Sequence, residues 1–507
     1  MSVKRNVIAN YFGQGWRAAL SLLLLPVYLQ LLGLEAFGLI GVFTMLQNWL
    51  ILVEAGIRPT LIREMARFDA GSLEATQVNN LLRTFEIIAL GLIALLVTLS
   101  ILTAPWLADH WLNASTLPSG EIAQALAIMG IVAAIKILEG IYSSCLAGLQ
   151  RQVLDNALST VFATLRGFGA LAILYFWSPT IFAFFVWQGL VSVLSVISYM
   201  VAVYRLLPTP DAPRRFSRTA FRNVRAFAGG MATITFQSVI LSQTDKIILA
   251  KILPLKEFAM YSLANALANG LTLLTGPLTG AYYPRFTALR AMDRERQLIH
   301  VFHQASQFIT VFVGAAAFTL ICNAQKVLLV WTSDPSLAYD VSALLMILAL
   351  GTFLHSLVWV PYHVQLAYGW TSLTIKVNAV AMIVLIPAII LLVPKFGFYA
   401  AAWIWVILNA FYLLFYINFM HRKILIGEKS AWYIRDIMIP LLPIIAIGLL
   451  VHYVDLGGRS KVVNTATISL CGMAMLLGSL LVTTDLRQAI LRIVKGEWDK
   501  LHARYMS

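Results

Sequence analysis

The sequence predicts an all-α integral membrane protein with about fourteen transmembrane helices in two lobes around a central cavity, and three observations carry that expectation. Hydrophobic residues fill 60% of the 507 positions and charged residues only 12%, whereas a soluble globular chain is about half apolar and roughly a quarter charged. The apolar residues fall in continuous runs near the roughly 20 residues that take a helix across a ~30 Å hydrocarbon core. They lack the alternation, over segments of about ten residues, of a membrane β-barrel. A polar interval from Leu206 to Asn223, with Pro208, Pro210 and Pro213 set among arginines, divides the runs into six and eight, as an inter-lobe linker would.

Taken in order, Met1 to Asn10 is short and basic, and the apolar run behind it continues to Leu32 without a small-residue cleavage pattern, so span one, at 10–32, reads as retained. Leu32-Gly33-Leu34-Glu35-Ala36-Phe37-Gly38 turns the chain into span two at 36–57. Spans three to six, at 80–104, 121–147, 156–177 and 180–204, complete an N-terminal lobe of residues 1–205, followed by a basic linker at 206–225. Spans seven and eight, at 226–253 and 256–281, are joined by Leu253-Pro254-Leu255-Lys256-Glu257-Phe258-Ala259, an echo of the first turn that reads as an internal repeat. Gly276-Pro277 and Gly280 in span eight suit close helix approach or a kink. Spans at 303–325, 338–361, 372–393 and 397–420 complete a C-terminal lobe of residues 226–420, and residues 421–507 add two further helices, 434–454 and 462–484, with a tail.

Lys and Arg number 37 against 23 Asp and Glu, a formal charge of +14. When loops are assigned alternately to the two sides, 25 basic residues fall on the side of the N-terminus and five on the other. Basic loops stay cytoplasmic, so both termini are expected there. With no long polar domain to carry a basic face, nucleic acid is not an expected partner.

Other chemistries lack their residues. There is no G-x-x-x-x-G-K-[ST] loop for nucleotide phosphates and no H-E-x-x-H or Cys/His cluster, so no cofactor or metal is expected. Cys145, Cys322 and Cys471 sit singly in apolar sequence and read as packing residues. His300 and His303, three apart without a third ligand, read as a solvated or lipid-facing pair, and Asn113-Ala114-Ser115 as an ordinary external loop. A membrane-embedded polymerase would need catalytic residues on a substantial outer loop. The largest outer loops, Ala104 to Gly120 and Ala324 to Tyr339, are short and offer few acids: Asp109, Asp334, and Glu121 or Asp340 at a helix edge. Enzymatic activity is therefore not expected.

Charges inside the bilayer cost several kcal/mol and mark a pathway by default. Here they are Arg17, Glu54, Lys136, Glu139, Arg166, Asp245, Lys246 and Lys376, with cations in excess. Lys136 and Glu139 are spaced to meet on one helix face. Asp245 and Lys246 point roughly 100° apart, so they cannot share one local partner. Gln14, Gln47, Asn48, Gln237, Gln243, Asn265 and Asn269 place polar groups in the first two helices of each lobe, which are expected to line one cavity. The candidate substrate-binding set is Arg17, Gln47, Asn48, Lys136, Arg166, Gln237, Lys246, Asn265 and Lys376, and the candidate coupling acids are Glu54, Glu139 and Asp245.

The opening, with Pro26, Tyr28, Leu32-Gly33, Phe37-Gly38, Glu54-Ala55-Gly56 and Arg63-Glu64, resembles the Wzx-type flippases of lipid-linked oligosaccharides. Gln243-Thr244-Asp245-Lys246, Glu257-Phe258, Tyr261-Ser262-Leu263-Ala264 and Tyr283-Pro284-Arg285-Phe286 are similar to the same family. The resemblance implies the two-lobed fold of multidrug and oligosaccharidyl-lipid exporters, with a cationic cavity between spans one, two, seven and eight. It implies a polyprenyl-pyrophosphate-linked oligosaccharide as substrate and the bilayer as its setting. A polysaccharide polymerase and chain-length machinery follow from it as candidate partners. A multidrug or cation antiporter of the same superfamily is the alternative, and the excess of buried Lys and Arg argues against it.

Overall fold

The computed structural model describes residues 3–69, 71, 73–208, 215–219, 222, 235–236, 239–240, 243–370, 372–454, 460–484 and 486–488. Among them twelve helices are long and apolar enough to cross a membrane, and the chain is a multi-pass helical membrane protein. It divides into two compact units, residues 1–262 and 263–507.

The first unit opens with α1, Val3–Leu32, and α2, Leu34–Glu54. The turn between them is a single residue, Gly33, whose φ of 80° lies in the left-handed region that glycine enters without steric cost. The basic stretch expected as a loop after α2 is instead a helix, α3, Ile57–Asp69. It forms because Ile57, Leu61 and Met65 recur every four residues and bury one face, leaving Arg58, Arg63 and Arg67 on the polar side. Then come α4, Ala75–His110, α5, Ser119–Gly148, α6, Gln152–Phe176, and α7, Ile181–Leu206. The apolar core joins α3, α4, α5 and α7 through Leu61, Leu82, Phe85, Ile141 and Val203. Leu102, Phe176 and Trp177 stay exposed, as apolar side chains do when the surrounding solvent is lipid.

The linker's described part lies along α4, where Ser217 N donates to Thr84 Oγ1 at 2.9 Å and Asn79 Nδ2 to the Pro208 carbonyl at 3.2 Å. Residues 243–252 are helical and lead into α8, Leu255–Gly270, which crosses into the second unit. The two echoing turns start helices at matched positions, Leu34 and Leu255, and bury the matched phenylalanines Phe37 and Phe258. They also touch: a Cβ on Gly38 would lie 2.9 Å from the Leu255 carbonyl, so only glycine allows α2 to approach so closely. The Asn113 loop is not idle, because its carbonyl accepts from Leu255 N at 2.7 Å and its amide donates to the Lys251 carbonyl at 3.0 Å.

The second unit contains α9, Gly276–Ala291, α10, Glu295–Cys322, α11, Ala324–Thr332, α12, Pro335–Ala367, α13, Ser372–Phe396, α14, Phe398–His421, α15, Lys429–Val451, and α16, Lys461–Val482. Span seven lies partly outside the described residues, which include its last part, 243–253. Two sequence expectations change. Span eight is broken: α8 ends at Gly270, a 3-10 turn covers Leu271–Leu274, and α9 restarts at Gly276. Pro277 has no N–H to extend the ladder backward, so the helix interrupts in the turn before it. The segment from Ala324, expected as an outer loop, is helical over α11, which buries Leu328 and Thr332. Phe302, Phe353, Met420 and Trp432 join α10, α12, α14 and α15 in one core, and Ile444, Cys471 and Met475 tie α15 and α16 to Ala315 of α10.

Candidate functional site in the first unit

Helical periodicity aligns the charges. On α5, Lys136, Glu139, Gly140, Ser143 and Ser144 recur at three- and four-residue steps and share a face. On α6, Asp155, Ser159 and Arg166, at steps of four and seven, likewise share a face. These faces meet each other, the polar side of α1 and the end of α2.

Glu139 does not pair with Lys136. It accepts from Arg166 across the helices, Nη2 to Oε2 at 2.5 Å, while the second oxygen lies 3.5 Å from Nη1. Arg166 is the better partner because its planar fork engages both carboxylate oxygens. Its Nε is buried without a hydrogen-bond partner among the described residues. Lys136, half-buried, makes no ion pair or hydrogen bond among the described residues, and its ammonium lies in the fields of Arg166, Glu139 and Glu54. Glu54 is buried at the end of α2 and pairs with Arg58 at 3.0 Å, whose Nε reaches Ser144 Oγ at 3.4 Å. Gly140 makes room for that carboxylate, since a Cβ there would stand 2.9 Å from Glu54 Oε1. Arg17 reaches across from α1 and donates to Ser159 Oγ, beside Asp155, which accepts from Ser143 Oγ at 2.8 Å.

The row therefore gathers Arg17, Glu54, Lys136, Glu139 and Arg166 of the expected set. It adds Arg58 and Asp155, which sequence reasoning placed in loops. The spacing of Asp155, Ser159 and Arg166 along α6 was the signal that could have found the second of these. The Arg17 guanidinium turns inward to α6.

Elsewhere in the first unit, Asn48 Nδ2 donates to Gln243 Oε1 at 3.3 Å. Asp245 and Lys246, expected to diverge, approach to 3.6 Å, because the four-carbon lysine stem can fold back along the helix. Tyr261 Oη donates to Asp245 Oδ2 at 3.2 Å. Gln47 is half-buried with no hydrogen bond among the described residues. Gln237 lies outside the described residues. Asn265 and Lys376 belong to the second unit, Asn265 half-buried on α8 and Lys376 exposed near the start of α13.

His303 is neither solvated nor lipid-facing. It is buried in the second unit between Asp436 and Glu428, which aligned helix faces bring to it from 125 residues or more away.

Residues 3–290 match the polysaccharide biosynthesis protein family. The chain belongs to that family. A Shigella flexneri protein named "Putative O-antigen transporter" is 22% identical over 423 residues, spanning 82% of this chain and 97% of its own. Among solved structures, the lipid II flippase MurJ in an inward closed conformation aligns with a TM-score of 0.66 at 13% identity, covering 94% of this chain and 98% of that one. An inward-facing multidrug resistance MATE family transporter of the MOP superfamily aligns with a TM-score of 0.61 at 12% identity, covering 83% and 96%. The fold is thus the helical fold these transporters share.

Proposed function

We propose that this polysaccharide biosynthesis protein is a flippase that moves polyprenyl-pyrophosphate-linked oligosaccharide repeat units across the bacterial inner membrane. The observation that carries the reading is the row of Arg17, Lys136 and Arg166 inside the first unit, with Lys136 unpaired and Arg166 Nε unsatisfied among the described residues. A diphosphate offers oxygens to both: the arginine fork can take two, and the lysine supplies a point charge. The polyprenyl tail stays in lipid while the head group crosses, and the site is exposed alternately to either side. Transport, rather than bond making, is the work of such a site. Asn48, Gln47, Lys246, Asn265, Gln237 and Lys376 are further candidates for contacts with the glycan, and a polymerase would take up the product.

The test is reconstitution. Proteoliposomes holding the purified chain should translocate a fluorescent oligosaccharide linked through diphosphate to a polyprenol, and an analogue lacking the diphosphate should move at least about tenfold more slowly, given two lost charge-assisted contacts. Equal rates for both lipids, or transport of a cationic drug alone, would reject the reading.

Orientation has its own test. Reporters fused after Arg225 and after Ser507 should read cytoplasmic and one at Asn113 external, following the bias of 25 basic residues against five. An external C-terminus would reject this topology.

A further inference from the structure

The second unit holds a titratable cluster that the transport reading does not use. His303 of α10 is 4% exposed. Its Nδ1 faces Asp436 Oδ2 and its Nε2 faces Glu428 Oε2, the latter at 3.1 Å. Asp436, fully buried on α15, presents its other oxygen to Gln307 Nε2 at 3.0 Å. The orientation of that amide is set independently, because Gln307 Oε1 accepts from the backbone N–H of Leu486, beyond α16, at 3.1 Å. Gln307 therefore donates to Asp436 Oδ1, which leaves Oδ2 to His303.

A neutral imidazole has one N–H, so one of its nitrogens would turn a lone pair on a carboxylate oxygen in a buried site. With both carboxyl groups ionised, two carboxylates on the two ring nitrogens need both N–H groups. The neighbouring histidine shows the contrast: His421 Nδ1 lies 3.2 Å from the Leu425 carbonyl while its Nε2 has no partner among the described residues, the pattern of a neutral ring. The other groups facing the cluster are the guanidinium of Arg435, which acts on Asp436, and Lys429, whose ammonium is engaged by Asn418 Oδ1 at 2.7 Å. Phe302 and Trp432 close the remaining sides, and Trp432 Nε1 donates to Ser306 Oγ at 3.0 Å.

We propose that His303, Asp436 and Glu428 form a proton-binding site, holding an imidazolium that fastens α15 and the segment after α16 to α10. The ligand is a proton. Losing it leaves a lone pair against Asp436, so proton occupancy and the attachment of the last two helices are linked. The basic residues Arg294, Arg296, Lys429 and Arg435 around this end put it on the expected cytoplasmic side. The proposal does not depend on what the first unit carries.

The test is nitrogen NMR of the full chain labelled with ¹⁵N-histidine in lipid nanodiscs, the His303 signals being those lost in His303→Gln. At pH 7.5 both ring nitrogens of His303 should resonate in the protonated range and move to the neutral pattern only on alkalinisation. Glu428→Gln, at a partly exposed position that folding tolerates, should lower the midpoint of that change by about one pH unit. Asp436→Asn should abolish the protonated signals at pH 7.5 if it folds. A neutral His303 in the unaltered chain at pH 7.5, or an unchanged midpoint in Glu428→Gln, would overturn the assignment.

Discussion

Arg166→Ala is expected to lower the stability of the first unit by about 3–5 kcal/mol, the usual consequence of removing one member of a buried ion pair. The loss follows from what remains. Glu139 holds Arg166 at 2.5 Å with both side chains at least four-fifths buried, so the variant leaves a carboxylate in a low-dielectric site without its donor. Adding Glu139→Ala should return most of the stability, because the unpaired charge is gone and only packing is lost. Translocation of the diphosphate-linked lipid should stay lost in the double variant. Thermal unfolding of the purified proteins in detergent reads the first effect, and flux into proteoliposomes the second. Recovery of both in the double variant would make the pair purely structural. A single variant as stable as the parent would mean that Glu139 finds another cation, and Lys136 is the nearest candidate.

That pair shows where sequence reasoning reached and where it stopped. Run length and apolar continuity placed the helices, because a bilayer rewards those properties locally and nearly independently of partners. The short turns at Gly33 and at Leu253-Pro254 were legible for the same reason. The charged face of α5 could be read from the spacing of Lys136 and Glu139. Which cation Glu139 would choose could not, since Arg166 lies 27 residues away and the choice turns on two helices packing in one register. Arg58 was hidden by an amphipathic helix too short and too basic to look like more than a loop. His303 and Asp436, 133 residues apart, were further out of reach: neither residue is unusual in its own segment, and only the packing of α15 on α10 makes them a site. The break in span eight was legible in part, because Pro277 announces a kink but not that it falls in the turn before the proline.

Lys136→Met should separate stability from function in the opposite sense. The acids near Lys136 already have partners, Glu54 with Arg58 at 3.0 Å and Glu139 with Arg166 at 2.5 Å. Its ammonium therefore carries its desolvation cost without an ion pair, next to a guanidinium that repels it. A methionine of similar length fills the space without that cost, so the variant should be more stable than the parent by about 1–2 kcal/mol. A charge retained at a cost to the fold is what a site for an absent anion requires. Flux of the diphosphate-linked lipid should fall at least about tenfold in Lys136→Met, the equivalent of one charge-assisted contact. Lys136→Arg should preserve much of it, because the positive charge remains. Thermal unfolding and proteoliposome flux, measured on the same preparations, check the two halves. A destabilised Lys136→Met would mean that the ammonium balances the paired acids through space and serves the fold. Undiminished flux in a stable Lys136→Met would remove Lys136 from the substrate's path and leave Arg17 and Arg166 as the cations to hold it.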